Sequence, residues 1–357
     1  MNAGFWKGKK VFLTGHTGFK GSWMSLMLQT LGAKVTGYSL PAPTQPNLYE
    51  LAHVGHGMQS IEGDVRHFEH VKKAVVDAQP EILIHMAAQP LVKYSYAHPV
   101  ETYATNVMGT VNALEAARTV ESVRVVVIVT SDKCYENKES KQGYREEDAL
   151  GGHDPYSNSK GCAELVTSAY RKSYFNGASS GRVRLASARA GNVIGGGDWA
   201  LDRLIPDAIR SFSEKKSVLI RHPEAVRPWQ HVCEPLSGYL TLAEHLWSTE
   251  GSHYAQPWNF GPLDTDVKPV SWVIDRMVSL WGMDSRWQKD TAPTVKETQS
   301  LMLDCSKART KLDWRPLLSL EEALSWTVNW YRAHQQGKDI RELTQTQIQR
   351  YQALATQ

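Results

Sequence analysis

Apolar and polar positions follow two different rhythms in the first half of the chain. Short β-branched runs stand at residues 10–14 ("KVFLT"), 33–38 ("AKVTGY"), 81–87 ("EILIHMA") and 123–130 ("VRVVVIVT"), with helical periodicity between them at 18–31, 67–78 and 96–120. The runs are continuous rather than alternating, as strands buried on both faces require. Strand and helix taking turns in this way predict βαβ units and a doubly wound parallel sheet, an α/β fold. A long helix then opens at "DPYSNSKGCAELVTSAYRKSY" (154–174), and "RVRLASAR" (182–189) supplies a further strand.

After about residue 190 the rhythm breaks into Gly-, Pro- and Trp-rich pieces, "GNVIGGGDWALDRLIPD" and "RHPEAVRPWQHV". Such pieces predict a smaller mixed α/β domain built on loops over the sheet. The expected division is residues 1–190 for the sheet domain, with later segments at about 225–250 returning to it, and 191–340 for the smaller one. Ser319 and Glu322 have the spacing of a capping box before the helical "SLEEALSWTVNWYRAH". Residues 341–357, rich in Gln, are expected to form a peripheral helix or frayed end.

Composition narrows the class of protein. The chain has 357 residues, 41% of them hydrophobic, which is enough core for one large or two modest domains. Its formal charge is +3 and no Lys/Arg block interleaves with aromatics, so nothing marks a nucleic-acid partner. Cys134, Cys162, Cys233 and Cys305 are far apart and lack metal-ligand spacing. They read as reduced thiols in a cytoplasm, with no disulfide framework and no metal site. No apolar signal core precedes the first strand, and the longest apolar run is the strand before Ser131, so no membrane partner is expected.

Three stretches carry candidate chemistry. In "VFLTGHTGFKG", Gly15, Gly18 and Gly21 lie between the first strand and the first helix, where absent side chains let a pyrophosphate approach the helix N-terminus and let helix pack on strand. The alternative is an ordinary tight turn. Phe19 and Lys20 fall inside the same cradle, and His16 is either a contact to phosphate or ribose or an exposed loop residue. The second strand ends at Ser39 without the acid that would hold a ribose 2′-hydroxyl and without an Arg for a 2′-phosphate, which leaves NAD as the better fit. Asp64 either accepts from an adenine amino group or caps the helix from residue 66.

Tyr156 and Lys160 are four apart at a helix start and share a face. A cation below a phenol lowers its pKa, and the phenolate can accept a proton from a substrate alcohol as hydride leaves for nicotinamide. The third stretch is "VTSDKCY", which puts Ser131, Asp132 and Lys133 side by side at a strand end.

With "TGHTGFKG", "GDVR", "HMAAQ", "TNVMGT", "YSNSK", "GNVIGGGD", "RPWQHV", "WNFGP" and "LDCSKARTKLDWRP" in order, the chain resembles the extended short-chain dehydrogenase/reductase family over nearly its whole length. The resemblance implies a Rossmann domain holding NAD, a C-terminal domain binding a nucleotide-diphosphate sugar, and a homodimer, or a dimer of dimers, formed through two long helices. It places Gly15, Gly18 and Gly21 on the pyrophosphate, Asp64 and Val65 at the adenine, and Ala87, Ala88 and Gln89 along the cofactor. Asn106 would support the active-site helix, and Lys160 would also bond the nicotinamide ribose. Asn192 and Arg227 would contact the substrate diphosphate, with Arg203 and Arg221 as further candidates.

Members of this family share oxidation of a sugar C4 hydroxyl and then diverge. Epimerases need only Ser or Thr beside the Tyr, whereas 4,6-dehydratases also need a base for H5 and an acid for the C6 hydroxyl. Ser131 would bond the C4 oxygen, Asp132 would be the acid, and Lys133 would stand where the base belongs. Many hexose dehydratases carry Asp-Glu there, so Lys133 departs from the pattern. As a base it would need its pKa lowered by about three units, roughly 4 kcal/mol; otherwise it steadies an enolate as a cation and another group takes H5. The wording "TGHTGFKGSW", "SDKCYEN" and "RPWQHV" is most similar to the members acting on CDP-glucose, which implies a route to dideoxysugars of bacterial surface polysaccharide. The alternatives are a dehydratase or 4-epimerase for a UDP-, dTDP- or GDP-sugar, and a non-catalytic NAD-sensing relative.

Overall fold

The computed structural model describes residues 1–138, 142–175, 182–282, 285–291 and 301–355. Six strands come before residue 191: β1 (Lys10–Thr14), β2 (Lys34–Ser39), β3 (Gln59–Glu62), β4 (Ile82–His85), β5 (Val125–Val129) and β6 (Arg184–Ala190). Seven follow: β7 (Val193–Ile194), β8 (Ser217–Ile220), β9 (Val226–Pro228), β10 (Gln230–His231), β11 (Pro257–Phe260), β12 (Val267–Pro269) and β13 (Arg286–Lys289). The main sheet has seven strands in the order β11-β6-β5-β4-β1-β2-β3, every neighbour parallel. The remaining strands form the small pairs β7–β10, β8–β13 and β9–β12.

The continuous apolar runs have the predicted cause. Val11 and Leu13 of β1 join one core cluster while Phe12 joins the other, and in β5 Val125, Val127 and Val129 face one layer while Val126 and Ile128 face the opposite one. Each such side chain withdrawn from water contributes about 1.5–3 kcal/mol, so both faces hold the central strands in register.

Two stretches differ from the expected division. The return to the sheet extends beyond residue 250, because the helix Cys233–Trp247 packs on β5 and β6 and β11 then pairs with β6. The Gln-rich end is neither peripheral nor frayed over its described part. Helix Ile340–Leu354 buries Ile340, Thr344, Ile348 and Tyr351, and the Tyr351 hydroxyl donates to Glu234 Oε2 at 2.6 Å. The capping box at Ser319 and Glu322 is formed as expected, with both reciprocal bonds present.

Candidate active site

The carboxyl ends of β1, β2, β4, β5 and β6 open into one cavity of about 1110 Å³, roofed by segments after residue 190. That exceeds the roughly 300–1,000 Å³ of a single small-molecule pocket and leaves room for two ligands. Among the described residues no cluster of His, Cys, Asp or Glu could hold a metal, and no helix is long and apolar enough to cross a membrane.

The glycine loop forms one end of the cavity. Gly15 has φ +78° and its missing Cβ would lie 2.8 Å from the Ala87 nitrogen, while a Cβ on Gly21 would collide with the Gly15 carbonyl oxygen. Loop, neighbouring strand and helix therefore meet only with hydrogen at both positions. Helix Phe19–Thr30 starts directly after Gly18 with no side chain capping it, so its N-terminal amides face the cavity as an anion site. Phe19, Lys20, Ser39, Asp64, Val65, Ala87 and Ala88 all line this end. Thr17, which no motif singled out, lies 2.8 Å from the Ser39 hydroxyl and donates to the Leu40 carbonyl. Asp64 accepts from Arg66 through its backbone N–H and its guanidinium. Burial pushes its carboxyl up, but these bonds outweigh burial and hold it below the usual range.

Two residues expected at the cofactor lie outside the cavity lining. His16 is buried outside the cavity lining, under Gly37, with Nε2 2.7 Å from Ser60 Oγ and its ring edge-on to Tyr49. Burial lowers its pKa to about 4, so the ring packs there in its neutral form. Gln89 is also absent from the lining. Its side chain donates to Thr102 and accepts from Leu91 N–H, shaping the turn after β4 rather than meeting a cofactor.

The catalytic candidates converge at the end of β5. Ser131 caps the short turn Asp132–Cys134, accepting from Lys133 N–H at 3.2 Å and donating to Asp132 Oδ1 at 2.9 Å. Asp132 is buried, and among the described residues its Oδ2 has no hydrogen-bond partner. Burial raises its pKa against the pull of Lys133, Ser131 and Arg227. Lys133 is half-buried and lines the same cavity.

Tyr156 and Lys160 enter from helix Pro155–Tyr170, whose N-cap Asp154 accepts from Ser157 N–H at 2.9 Å. Burial raises the Tyr156 phenol to about 12, opposed by a Ser131 hydrogen bond and the charge of Arg203. The shared face brings both side chains to the cavity, but Lys160 Nζ lies 3.5 Å from the Val129 carbonyl, and burial lowers it to about 8. The phenol thus feels Arg203, a cation from the second half of the chain that the Tyr/Lys spacing does not reveal.

Supporting bonds fix these groups. Asn106, in a π-helical turn (Ala104–Met108), donates to the Gln89 carbonyl at 3.1 Å and to Ser159 Oγ at 2.8 Å, accepting from Gln89 N–H in return. Ser159 lies between Tyr156 and Lys160, so Asn106 holds the active-site helix to the turn after β4. Beneath them Glu164 and Arg189 form a buried ion pair at 2.8 Å; Glu164 also accepts from Thr130 and Ser187, and Arg189 donates to the Tyr135 hydroxyl. Neither residue belongs to a local motif: Glu164 stands on helix Pro155–Tyr170 and Arg189 on β6, and the packing of that helix on the strand brings them together.

On the opposite wall Asn192, Arg203, Arg221 and Arg227 all line the cavity. Arg203 donates to Asp198 at 2.7 Å, and the charge of Arg227 reaches Asp132. The whole arrangement offers a phosphate cradle at one end, arginines at the other, and a phenol, a hydroxyl and a buried acid between them. That suits a dinucleotide and a second phosphorylated ligand whose alcohol is oxidised.

The family model described as GDP-mannose 4,6 dehydratase matches residues 12–327. The chain is 52% identical over 358 residues to the CDP-glucose 4,6-dehydratase of Salmonella typhimurium, covering 100% of this chain and 99% of that one. Its fold is similar to the UDP-glucose 4-epimerase of Thermotoga maritima solved with UDP-glucose (TM-score 0.78, 20% identity, 91% and 99% covered). It is similar too to the dTDP-glucose 4,6-dehydratase of Bacillus anthracis solved with NAD (TM-score 0.75, 22% identity, 93% and 99% covered).

Proposed function

Because the chain belongs to the extended short-chain dehydrogenase/reductase family, in the branch that the GDP-mannose 4,6-dehydratase model describes, we propose that it converts CDP-D-glucose to CDP-4-keto-6-deoxy-D-glucose. The observation that carries this reading is Asp132, a buried carboxyl of raised pKa beside Ser131 and Tyr156, with one oxygen that has no hydrogen-bond partner among the described residues. Simple epimerisation has no use for such an acid, since nothing leaves C6. The choice of CDP over other nucleotides follows the full-length similarity to the Salmonella enzyme.

NAD fits the cradle: the pyrophosphate would rest on the amides around Gly18 and Gly21, and Lys160 would reach the nicotinamide ribose. When bound it would supply a reversible hydride acceptor, taking hydride from C4 and returning it to C6 once water has left, as C5 regains a proton. Everything else is done by side chains. Tyr156, sharing a hydrogen bond with Ser131, takes the C4 hydroxyl proton, and the Arg203 charge favours its phenolate. The C4 ketone acidifies H5. Asp132 presents its proton to the departing C6 hydroxyl, so that water leaves rather than hydroxide. Lys133 stands beside it, as the H5 base or as the cation that steadies the enolate. Asn192 and Arg227 would hold the diphosphate, aided by Arg203 and Arg221.

Val100, Tyr103, Met108, Leu165 and Tyr174 are exposed on or beside the helices spanning 99–119 and 155–170. They supply an apolar face suited to a homodimer through those helices. A cytoplasmic enzyme feeding dideoxysugars into surface polysaccharide is the role that fits this chemistry, with the segments before 190 and the returning strand holding NAD and the remainder holding the sugar.

The test is incubation with NAD and, separately, CDP-, UDP-, dTDP- and GDP-glucose, following the alkali-induced absorbance of 4-keto products. CDP-glucose should react fastest, and silence with it would refute the proposal. Lys133→Met should abolish exchange of H5 with solvent deuterium if Lys133 is the base; retained exchange places the base elsewhere.

A further inference from the structure

Lys20 belongs to the glycine loop by sequence but not by the direction of its side chain. It is half-buried and lines the cavity, with Nζ donating to the Tyr239 hydroxyl at 3.1 Å and lying 5.1 Å from the centre of that ring. Tyr239 comes from helix Cys233–Trp247 and is itself fully buried. The charges of Lys160, Arg203 and Asp132 all reach Lys20, and those of Asp132 and Tyr156 reach Tyr239. The side chain therefore runs from the phosphate cradle to the catalytic cluster. Among the described residues no carboxylate pairs with it.

A bound NAD must cross the same interval. Its phosphates sit at the N-terminus of helix Phe19–Thr30, and its hydride acceptor must reach the carbon whose oxygen Ser131 and Tyr156 hold. The oxidised nicotinamide ring is positively charged and the reduced ring is neutral. In a cleft whose walls exclude part of the water, a second positive charge across that interval is felt more than in bulk solvent.

We propose that Lys20 is a proton-linked residue that distinguishes the two forms of the cofactor, binding NAD⁺ as a neutral amine and standing as an ammonium beside NADH. Binding of NAD⁺ to the protonated site then releases one proton to solvent, while binding of NADH releases none. The empty site is prepared for this, since burial, then Lys160 and Arg203, lower Lys20 to about 7 against the pull of Asp132. The groups that reach it are Tyr239 on helix Cys233–Trp247, Lys160 on helix Pro155–Tyr170, Asp132 after β5 and Arg203 before helix Leu204–Ser213, with Tyr156 reaching the Tyr239 phenol. Burial keeps both phenols neutral, and Lys160 at about 8 is the other group within reach of neutrality. An ammonium beside the reduced ring would help to retain NADH while the keto sugar loses water.

The inference rests on the cofactor reading given above, and the experiment separates the two. Titration calorimetry of the full chain without sugar, in two buffers of different ionisation enthalpy, counts protons for NAD⁺ and for NADH. Between about pH 6 and about pH 8 the NAD⁺ affinity should rise about tenfold, following the neutral fraction of a group titrating near 7, and the NADH affinity should not rise. K20M should flatten the NAD⁺ slope, and K20R, always charged, should weaken NAD⁺ more than NADH at every pH. Equal proton counts for the two nucleotides in the unmodified protein, or an unchanged slope in a folded K20M, would overturn the proposal. If K20M does not fold, the unmodified protein's proton counts decide alone. Binding of neither nucleotide would refute the cofactor reading and this inference with it.

Discussion

Asp132→Asn isolates the acid from the oxidising site around it. Asn has nearly the same volume and its amide oxygen can still accept from Ser131, so the 2.9 Å bond that orients the side chain survives. What disappears is the proton offered through Oδ2. General acid catalysis is worth about 10²–10⁴ in rate, roughly 3–5 kcal/mol of barrier, so dehydration should slow by that factor. Oxidation at C4 uses Ser131 and Tyr156 and should persist, so reduced nicotinamide should build up in a single turnover with CDP-glucose. Stability should not fall. The Asp132 carboxyl is raised by burial, so its ionisation costs stability progressively as pH climbs from the unfolded value through the folded one. The Asn variant escapes that cost and should melt at or above the parent at pH 8. The assay is stopped-flow absorbance of the reduced cofactor alongside the rate of 4-keto product. A loss of less than tenfold, or equal loss of oxidation and dehydration in a protein of unchanged melting temperature, would refute the assignment of the acid.

Other expectations concern different parts of the molecule. Tyr156→Phe should reduce turnover by about 10²–10⁴ with little change in denaturation midpoint, because a buried phenol that titrates near 12 and serves as the proton acceptor is lost without loss of volume. Gly21→Ala should destabilise the chain by about 1–3 kcal/mol in urea denaturation and abolish NAD binding by calorimetry, since the methyl group meets the Gly15 carbonyl oxygen. Glu234 is raised to about 7 by burial, against bonds from Tyr351, Leu318 N–H and Leu317 N–H. Its contribution is therefore fully present below its unfolded value and is lost as pH rises through 7, by at most about 3 kcal/mol. Thermal melts of Glu234→Gln should show a smaller decline from pH 5 to pH 8 than the parent, and parallel declines would count against a buried carboxyl there.

The parts of the site legible in the chain were those whose chemistry is written locally. The glycine loop, the Ser131–Lys133 turn and the Tyr156/Lys160 pair each depend on residues within a few positions of one another, and all line one cavity. The orientation of residues next to a motif was less legible. His16 is turned aside by the space over Gly37 on the adjacent strand, and Gln89 by its bond to Thr102. Groups joined across the fold left no local trace: Lys20 and Tyr239 are 219 residues apart, and Arg203 meets Tyr156 only when the second half of the chain closes over the sheet. The last helix did carry a signal. Ile340, Thr344, Ile348 and Tyr351 form a stripe at helical spacing, hidden by a polar composition that reads as frayed when averaged.

The order of the main sheet also bears on how the chain can be made. β6 is buried, yet its outer neighbour β11 begins at Pro257, long after the six earlier strands are complete. A nascent chain that has released β6 from the ribosome must wait for about seventy more residues, or roughly 4–14 s of translation, before that backbone edge is covered. During this interval β6 offers unpaired amides and carbonyls to any other strand nearby. Pausing or truncation between residues 190 and 257 should therefore produce inclusion bodies rather than a shortened soluble protein. Expression yield should respond to slower translation and to chaperone supply in that window more than to changes elsewhere in the message.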